Sequence, residues 1–271
     1  MLCFPNAKIN IGLNVIEKRT DGYHNLETVF YPIGLCDVLE IIESKKNDTT
    51  FYLSGLPVDG DNENNLCLKA YRLLKKDFDL PNVEIALHKI IPMGAGLGGG
   101  SSDAAFTLKT LNDLFKLNIT NSNLEQYAAK LGSDCAFFIN NKPAFATGRG
   151  ELLTDIELNL SNYYIALINP AIHVSTAIAF AGLVPQKPTS SINIRINNPI
   201  EKWKDNIDND FERFVFAKYP KIEEIKNSLY ASGAIYAAMS GSGSTVYGLF
   251  EKEITSDDLI KGYFTHIEMF K

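Results

Sequence analysis

No stretch of this chain approaches the roughly 18 consecutive apolar residues of a membrane span, so none is expected. The opening MLCFPNAKINIGLN lacks a basic segment followed by an apolar run, and no secretory leader is expected. Cysteine is scarce: Cys3, Cys36, Cys67 and Cys135 lie far apart, and no C-x-x-C pair occurs. That argues against a zinc site or a disulfide framework. It fits a reducing cytoplasm, where scattered cysteines serve as small buried hydrophobes. An excess of positive charge is missing too. Lys and Arg number 26 against 32 Asp and Glu, a formal net charge of −6, which argues against general nucleic-acid binding. Any phosphate must be met by local donors. One more absence is local. Residues 94–103, GAGLGGGSSD, nearly complete the phosphate-binding pattern G-x-x-x-x-G-K-[ST], but Gly100 stands in the lysine slot.

What is present is an ordinary globular composition, with 271 residues, 45% apolar and 21% charged. That length suits one large or two modest domains, and a division between residues 155 and 156 is expected. In KINIGLNVI (8–16) apolar and polar residues alternate, which predicts a half-buried strand with Lys8 and Asn10 on its polar face. A turn at 18–22 follows, then two strands broken near Pro32 and Gly34. Helices are expected over 65–78, 102–117 and 121–131, with a strand over 83–91 ahead of the glycines. Further strands are expected around 144–153 and 163–170, and a short helix at 175–183. Residues 185–200 read as a surface connection, 203–230 as helical, and 234–250 as strand, glycine turn, strand.

Glycines between a strand and a helix suit phosphate, because the helix N-terminus offers free N–H groups and the positive end of its dipole. The same residues fit the dinucleotide pattern G-x-G-x-x-G through Gly94, Gly96 and Gly99. A dinucleotide unit needs a second strand with an acidic end after the helix. NITNSNLEQYAAKLG reads as another helix instead. Five glycines in seven residues are costly in chain entropy, and close approach of backbone to a ligand justifies that cost. Gly99 is expected at such a close approach, with positive φ. A ligand-free glycine turn is the plain alternative.

PMGAGLGGGSSDAA (92–105) resembles the ATP loop of the GHMP kinases, PNAKINIGLNV (5–15) their N-terminal motif, and MSGSGSTVYGLF (239–250) their C-terminal glycine motif. KRTDGYHNLETVF (18–30) and LGSDCAFFI (131–139) are similar to the branch whose acceptor alcohol carries a cytidine diphosphate, and NDFE (209–212) also fits. The resemblance implies an α+β fold of two lobes, an N-terminal ribosomal protein S5 domain 2-like lobe and a C-terminal ferredoxin-like lobe. It implies ATP as co-substrate with Mg²⁺, small-molecule partners only, and no nucleic acid or membrane partner. Pro92, Met93, Gly94, Ala95, Gly96, Leu97, Gly98, Gly99, Gly100, Ser101 and Ser102 are then the ATP loop, with Asn65 and Lys89 also touching nucleotide. Ser102 is the expected Mg²⁺ contact. Lys8 supplies the missing cation, and Asp134 takes the proton of the acceptor alcohol. Tyr23 and Phe180 sandwich the cytosine, His24 reads its edge, and Thr176 and Asn10 contact the diphosphate and the polyol.

Each of these residues also has a plain structural role open to it. Asp134 could cap a helix or stand in a turn. Lys8 and Lys89 could be exposed lysines, Asn65 and Ser102 helix caps, and Tyr23 and Phe180 core aromatics. The remaining functional alternatives are a family member acting on mevalonate, homoserine or a sugar, a non-catalytic nucleotide-binding regulator, and a dinucleotide oxidoreductase.

Overall fold

Some strands of this protein bury alternate residues, as Val83–Lys89 does, and others, such as Tyr236–Met239 and Val246–Phe250, are buried throughout; its computed structural model describes residues 1–58 and 60–270. The chain folds as two compact units, each assembled from separate stretches. One holds Met1–Ala7, Leu35–Met93 and Gly98–Lys142; the other holds Lys8–Gly34, Gly94–Leu97 and Pro143–Lys271. A single cut near residue 155 does not separate them.

The first unit has a four-stranded sheet in the spatial order Leu2–Cys3, Val38–Glu43, Val83–Lys89, Thr50–Gly55. The last strand, absent from the sequence-based reading, pairs parallel to Val83–Lys89; the other pairings are antiparallel. Val83, Ile85, Leu87 and Lys89 occupy the buried register of their strand. The helix Leu66–Lys75 packs on Gly99–Leu114 and buries Cys67, Leu68, Ala70, Tyr71 and Leu74. Each large apolar side chain so buried stabilises the fold by about 1.5–3 kcal/mol. The helices Asn121–Ala129 and Phe137–Asn140 complete this unit.

In the second unit, Tyr236–Met239, Val246–Phe250, Tyr164–Asn169 and Phe264–Met269 form an antiparallel sheet in that spatial order. The strand Phe264–Met269 was not expected. Another sheet orders Asn6–Lys18, His24–Cys36, Ala144–Thr147 and Leu152–Asp155. The strand His24–Cys36 runs on through Pro32 and Gly34, correcting the expected break, and ends before Asp37. The strand Asn6–Lys18 is not half-exposed either. Lys8, Asn10 and Asn14 are all buried, and partners make this possible. Asn14 donates to Asp210, and Leu13 donates to the Asp208 carbonyl, so residues 208–210 cover the strand at these two positions.

The expected helical stretch over 203–230 is three helices, Trp203–Asn206, Glu212–Lys218 and Pro220–Ala231. Pro220 has no N–H to extend the preceding helix, and it opens the next. The expected surface connection contains a helix, Ile192–Arg195, whose first N–H and whose Ser191 cap hydroxyl both bind the Glu27 carboxylate. Among the described residues, no helix is long and apolar enough to cross a membrane.

Candidate active site

The glycine loop passes from one unit to the other between Leu97 and Gly98. Gly94, Gly96 and Gly98 adopt φ of +61°, +79° and +71°. Gly99 does not share that conformation, contrary to expectation: it is the first residue of the helix Gly99–Leu114. Its constraint is steric. A Cβ there would lie 2.9 Å from Ile91 Cγ2 and 3.2 Å from Lys89 Nζ. The helix has no side-chain cap and no acidic residue in its first turn, so its leading N–H groups remain available to an anion. Ser102 is fully buried, and its hydroxyl has no partner among the described residues. A buried unpaired hydroxyl calls for a ligand atom.

In the second unit, Lys8 meets the glycine loop. Its ammonium donates to Asn10 Oδ1 and to the Gly96 carbonyl at 3.3 Å, and lies 4.8 Å from the Phe30 ring centre. The Lys8 N–H also donates to the Leu97 carbonyl at 3.0 Å. A cation therefore sits against the loop's first half, carried on a strand far earlier in the chain. Asn10 is held by Thr28 at 3.0 Å, and its backbone is bound by Ser240 and Tyr247. It is buried rather than presented to solvent.

Sequence reasoning named MSGSGST only as a motif; its role is contact with the loop. Ser240 Oγ donates to the Gly96 carbonyl at 2.7 Å, and Thr245 N–H donates to the Ala95 carbonyl at 3.2 Å. A Cβ on Gly96 would fall 1.9 Å from the Ser240 carbonyl oxygen. Asn209 of the NDFE stretch donates to the Met239 and Gly241 carbonyls, both at 2.8 Å. Glu212 of the same stretch accepts the Met239 N–H at 2.8 Å.

Two expected nucleotide contacts are otherwise engaged. Asn65 caps the helix Leu66–Lys75 by accepting the Cys67 N–H at 2.9 Å. Lys89 is 1% exposed and forms ion pairs with Asp37 and Asp103. These carboxylates make its burial possible, because burying the ammonium unpaired would be prohibitive. Burial alone lowers the Lys89 pKa, but Asp103 and Asp37 outweigh it and hold the ammonium above its usual range. Asp134 is half-buried in the turn before the helix Phe137–Asn140. That helix is capped at Ala136 without a side-chain bond, so Asp134 is not its cap.

The aromatic residues expected around the cytosine make contacts of their own. His24, not Tyr23, stacks on Phe180, with ring centres 4.7 Å apart and planes at 18°. Phe180 is anchored edge-on to Phe211 at 4.8 Å. Tyr23 is 55% exposed, and the Arg149 guanidinium lies 4.8 Å from its ring centre. This gives Arg149 a place that its TGRGE context did not suggest. Thr176 starts the helix Thr176–Ala181, with its hydroxyl 3.3 Å from that of Ser242 in the glycine motif. Burial, then the charge of Lys18, lowers the His24 pKa below 6.5. The shift favours the neutral imidazole, which offers one donor and one acceptor. An NMR titration of His24 is expected to give a midpoint below 6.5; a midpoint at or above it would contradict this environment.

Among the described residues, no cluster of three or more His, Cys, Asp or Glu side chains could hold a metal by itself. A backbone-lined anion loop, a lysine against it and a half-buried aspartate are parts for phosphoryl transfer. The GHMP kinases N terminal domain matches residues 65–142, and the GHMP kinases C terminal domain matches residues 196–263. The chain belongs to the GHMP kinase family, whose members take ATP as co-substrate, and it has the family's mixed α+β fold. It is 53% identical to the 4-diphosphocytidyl-2-C-methyl-D-erythritol kinase of Bacteroides fragilis, over 99% of this chain and 100% of that protein. A crystal structure of 4-(cytidine 5'-diphospho)-2C-methyl-D-erythritol kinase aligns at a TM-score of 0.77 and 30% identity, covering 92% of this chain and 90% of that one. Homoserine kinase from Cytophaga hutchinsonii aligns at 0.69 and 16% identity over 97% and 94%, a likeness of fold alone.

Proposed function

We propose that this kinase transfers the γ-phosphoryl group of ATP to the 2-hydroxyl of 4-diphosphocytidyl-2-C-methyl-D-erythritol, in the non-mevalonate route to isoprenoid precursors. The observation that carries the reading is the end-to-end similarity, at 53% identity, to a kinase of that name. The loop amides and the N-terminus of the helix Gly99–Leu114 receive the phosphates. Lys8 adds positive charge at the loop's first half, where its ammonium already binds the Gly96 carbonyl. Asp134 orients the 2-hydroxyl and takes its proton as oxygen bonds to phosphorus and ADP leaves.

The residues present fit Mg²⁺. The buried, unpartnered Ser102 hydroxyl suits an ion that takes one or two protein oxygens and fills its shell with phosphate and water. Ser102 would hold it together with the ATP phosphates, and the ion supplies charge neutralisation at the transferring group. The four cysteines lie far apart in sequence and form no C-x-x-C pair, a pattern that supports a cytoplasmic site of action.

The exposed Tyr23 ring, with Arg149 on it, suits a cytosine, since stacking covers a base's faces while hydrogen bonds read its edge. His24, stacked on Phe180, is the edge reader, and Phe180 remains the assignment for the other face of the base. Thr176 and Asn10 remain the assignments for the diphosphate and the polyol. Tyr23→Ala is expected to weaken acceptor affinity about 5- to 150-fold, from a stacking contribution of about 1–3 kcal/mol, and to spare ATP. Calorimetry with both ligands checks this; unchanged acceptor affinity would remove Tyr23 from the base site. The reaction itself is tested by ³¹P and ¹H NMR of the product. A new phosphomonoester at the 2-carbon is expected, and phosphate at any other hydroxyl would overturn the assignment.

A further inference from the structure

The buried charges Asp37, Lys89 and Asp103 have no part in the chemistry above, yet they bracket the phosphate loop. Lys89 ends the strand that leads into the loop, and Asp103 lies in the helix that leads out of it. The Lys89 ammonium binds Asp37 Oδ2 and lies 2.8 Å from Asp103 Oδ2, with the three side chains 0%, 0% and 4% exposed. The second oxygen of Asp37 accepts the N–H of Ile90 at 2.5 Å and of Ile91 at 2.9 Å, the two residues before Pro92. The Asp37 N–H is fixed in turn to the Pro5 carbonyl at 2.8 Å. Lys89 Nζ also lies 3.2 Å from where a Cβ on Gly99 would stand, so the first helical residue rests on this group.

We propose that Asp37, Lys89 and Asp103 form a positioning clamp that fixes the loop's entry strand and exit helix, so that the loop amides are set for the ATP phosphates before ATP arrives. Asp37 directs the incoming chain by taking two successive N–H groups, and Lys89 joins it to the helix. The arrangement is poorly suited to a mere tether. Two carboxylates share one ammonium, and Asp103 Oδ1 is buried with no partner among the described residues. Apolar packing would join a strand to a helix without such unmet groups. Catalytic loops, in contrast, need their donors held closely, since a displacement of about 1 Å can cost about 100-fold. The inference rests on the reading of this loop as the ATP site.

The test is calorimetric affinity for a non-hydrolysable ATP analogue, with KM for ATP and for the acceptor, below each variant's unfolding midpoint. Lys89→Met is expected to weaken analogue binding about tenfold or more and to raise KM for ATP in step, with acceptor KM nearly unchanged. Asp103→Asn keeps an oxygen for the ammonium and is expected to lose clearly less, about threefold. If folded Lys89→Met binds the analogue like the wild type and only its melting midpoint falls, the clamp is a tether and the proposal is overturned. Should Lys89→Met not fold, Asp103→Asn decides alone, and wild-type affinity there overturns the proposal. A wild-type protein that fails to bind the analogue would instead remove the ATP-loop reading on which the clamp rests.

Discussion

Asp134→Asn is expected to lower turnover about 10²- to 10⁴-fold while leaving ATP affinity nearly intact. The carboxylate is the change; the amide keeps the shape. Phosphoryl transfer to an alcohol needs the hydroxyl oriented in line with the phosphorus and its proton removed, and an amide can do the first in part and the second not at all. A thermal melt of the variant separates lost chemistry from lost fold, and the neighbouring turn keeps its backbone bonds. Cys135 N–H binds the Gly132 carbonyl at 3.2 Å, and the next helix is capped at Ala136. Single-turnover kinetics with saturating ATP separate chemistry from product release. Near-normal single-turnover rates in the variant would show that Asp134 is not the acceptor of the proton.

Gly96→Ala is expected to be the most damaging single-methyl change in the loop. The new Cβ would fall 1.9 Å from the Ser240 carbonyl oxygen, and the backbone there is at φ +79°. Left-handed backbone costs a non-glycine residue about 1–2 kcal/mol and overpacking about 1–3 kcal/mol, together roughly 2–5 kcal/mol. The turn can escape the clash only by moving away from Ser240, which also displaces the carbonyl bound by Lys8. ATP-analogue affinity is therefore expected to fall roughly 30-fold or more. Gly100→Ala is the control, since its Cβ would meet Met93 Cε at 3.5 Å and Leu66 Cδ1 at 3.9 Å, both ordinary contacts. Equal affinities for the two variants would show that the Gly96–Ser240 contact does not shape the phosphate site.

Much of this arrangement was written in local pattern. The glycines between a strand and a helix marked the loop, and the missing lysine pointed to a cation from elsewhere. Lys89 was legible too, had the register been followed: Val83, Ile85 and Leu87 set a buried face, and Lys89 is the next residue on it. A buried lysine demands carboxylates, and the Asp that pairs with it could have been sought on that ground. Other features have no local signature. Ser240 and Gly96 are 144 positions apart, and only the assembled sheet brings the Ser240 hydroxyl to the Gly96 carbonyl. The strand Phe264–Met269 joins its sheet through pairing with Tyr164–Asn169, a partner its own residues do not announce. The stacking of His24 on Phe180 follows from where a short helix lands, which the aromatic inventory of the sequence does not announce. Burial of Lys8, Asn10 and Asn14 was hidden for the same reason, since Lys8 is met by the glycine loop, Asn10 by Ser240 and Tyr247, and Asn14 by Asp210.

The most direct measurement is the specificity constant, kcat/KM, of the wild-type protein with ATP and a panel of acceptors: 4-diphosphocytidyl-2-C-methyl-D-erythritol, mevalonate and homoserine. The cytidine compound is expected to be phosphorylated efficiently. Mevalonate and homoserine, which offer no base to Tyr23 and His24, are expected to react at or near background. A larger kcat/KM for mevalonate or homoserine than for the cytidine compound would contradict the assigned acceptor.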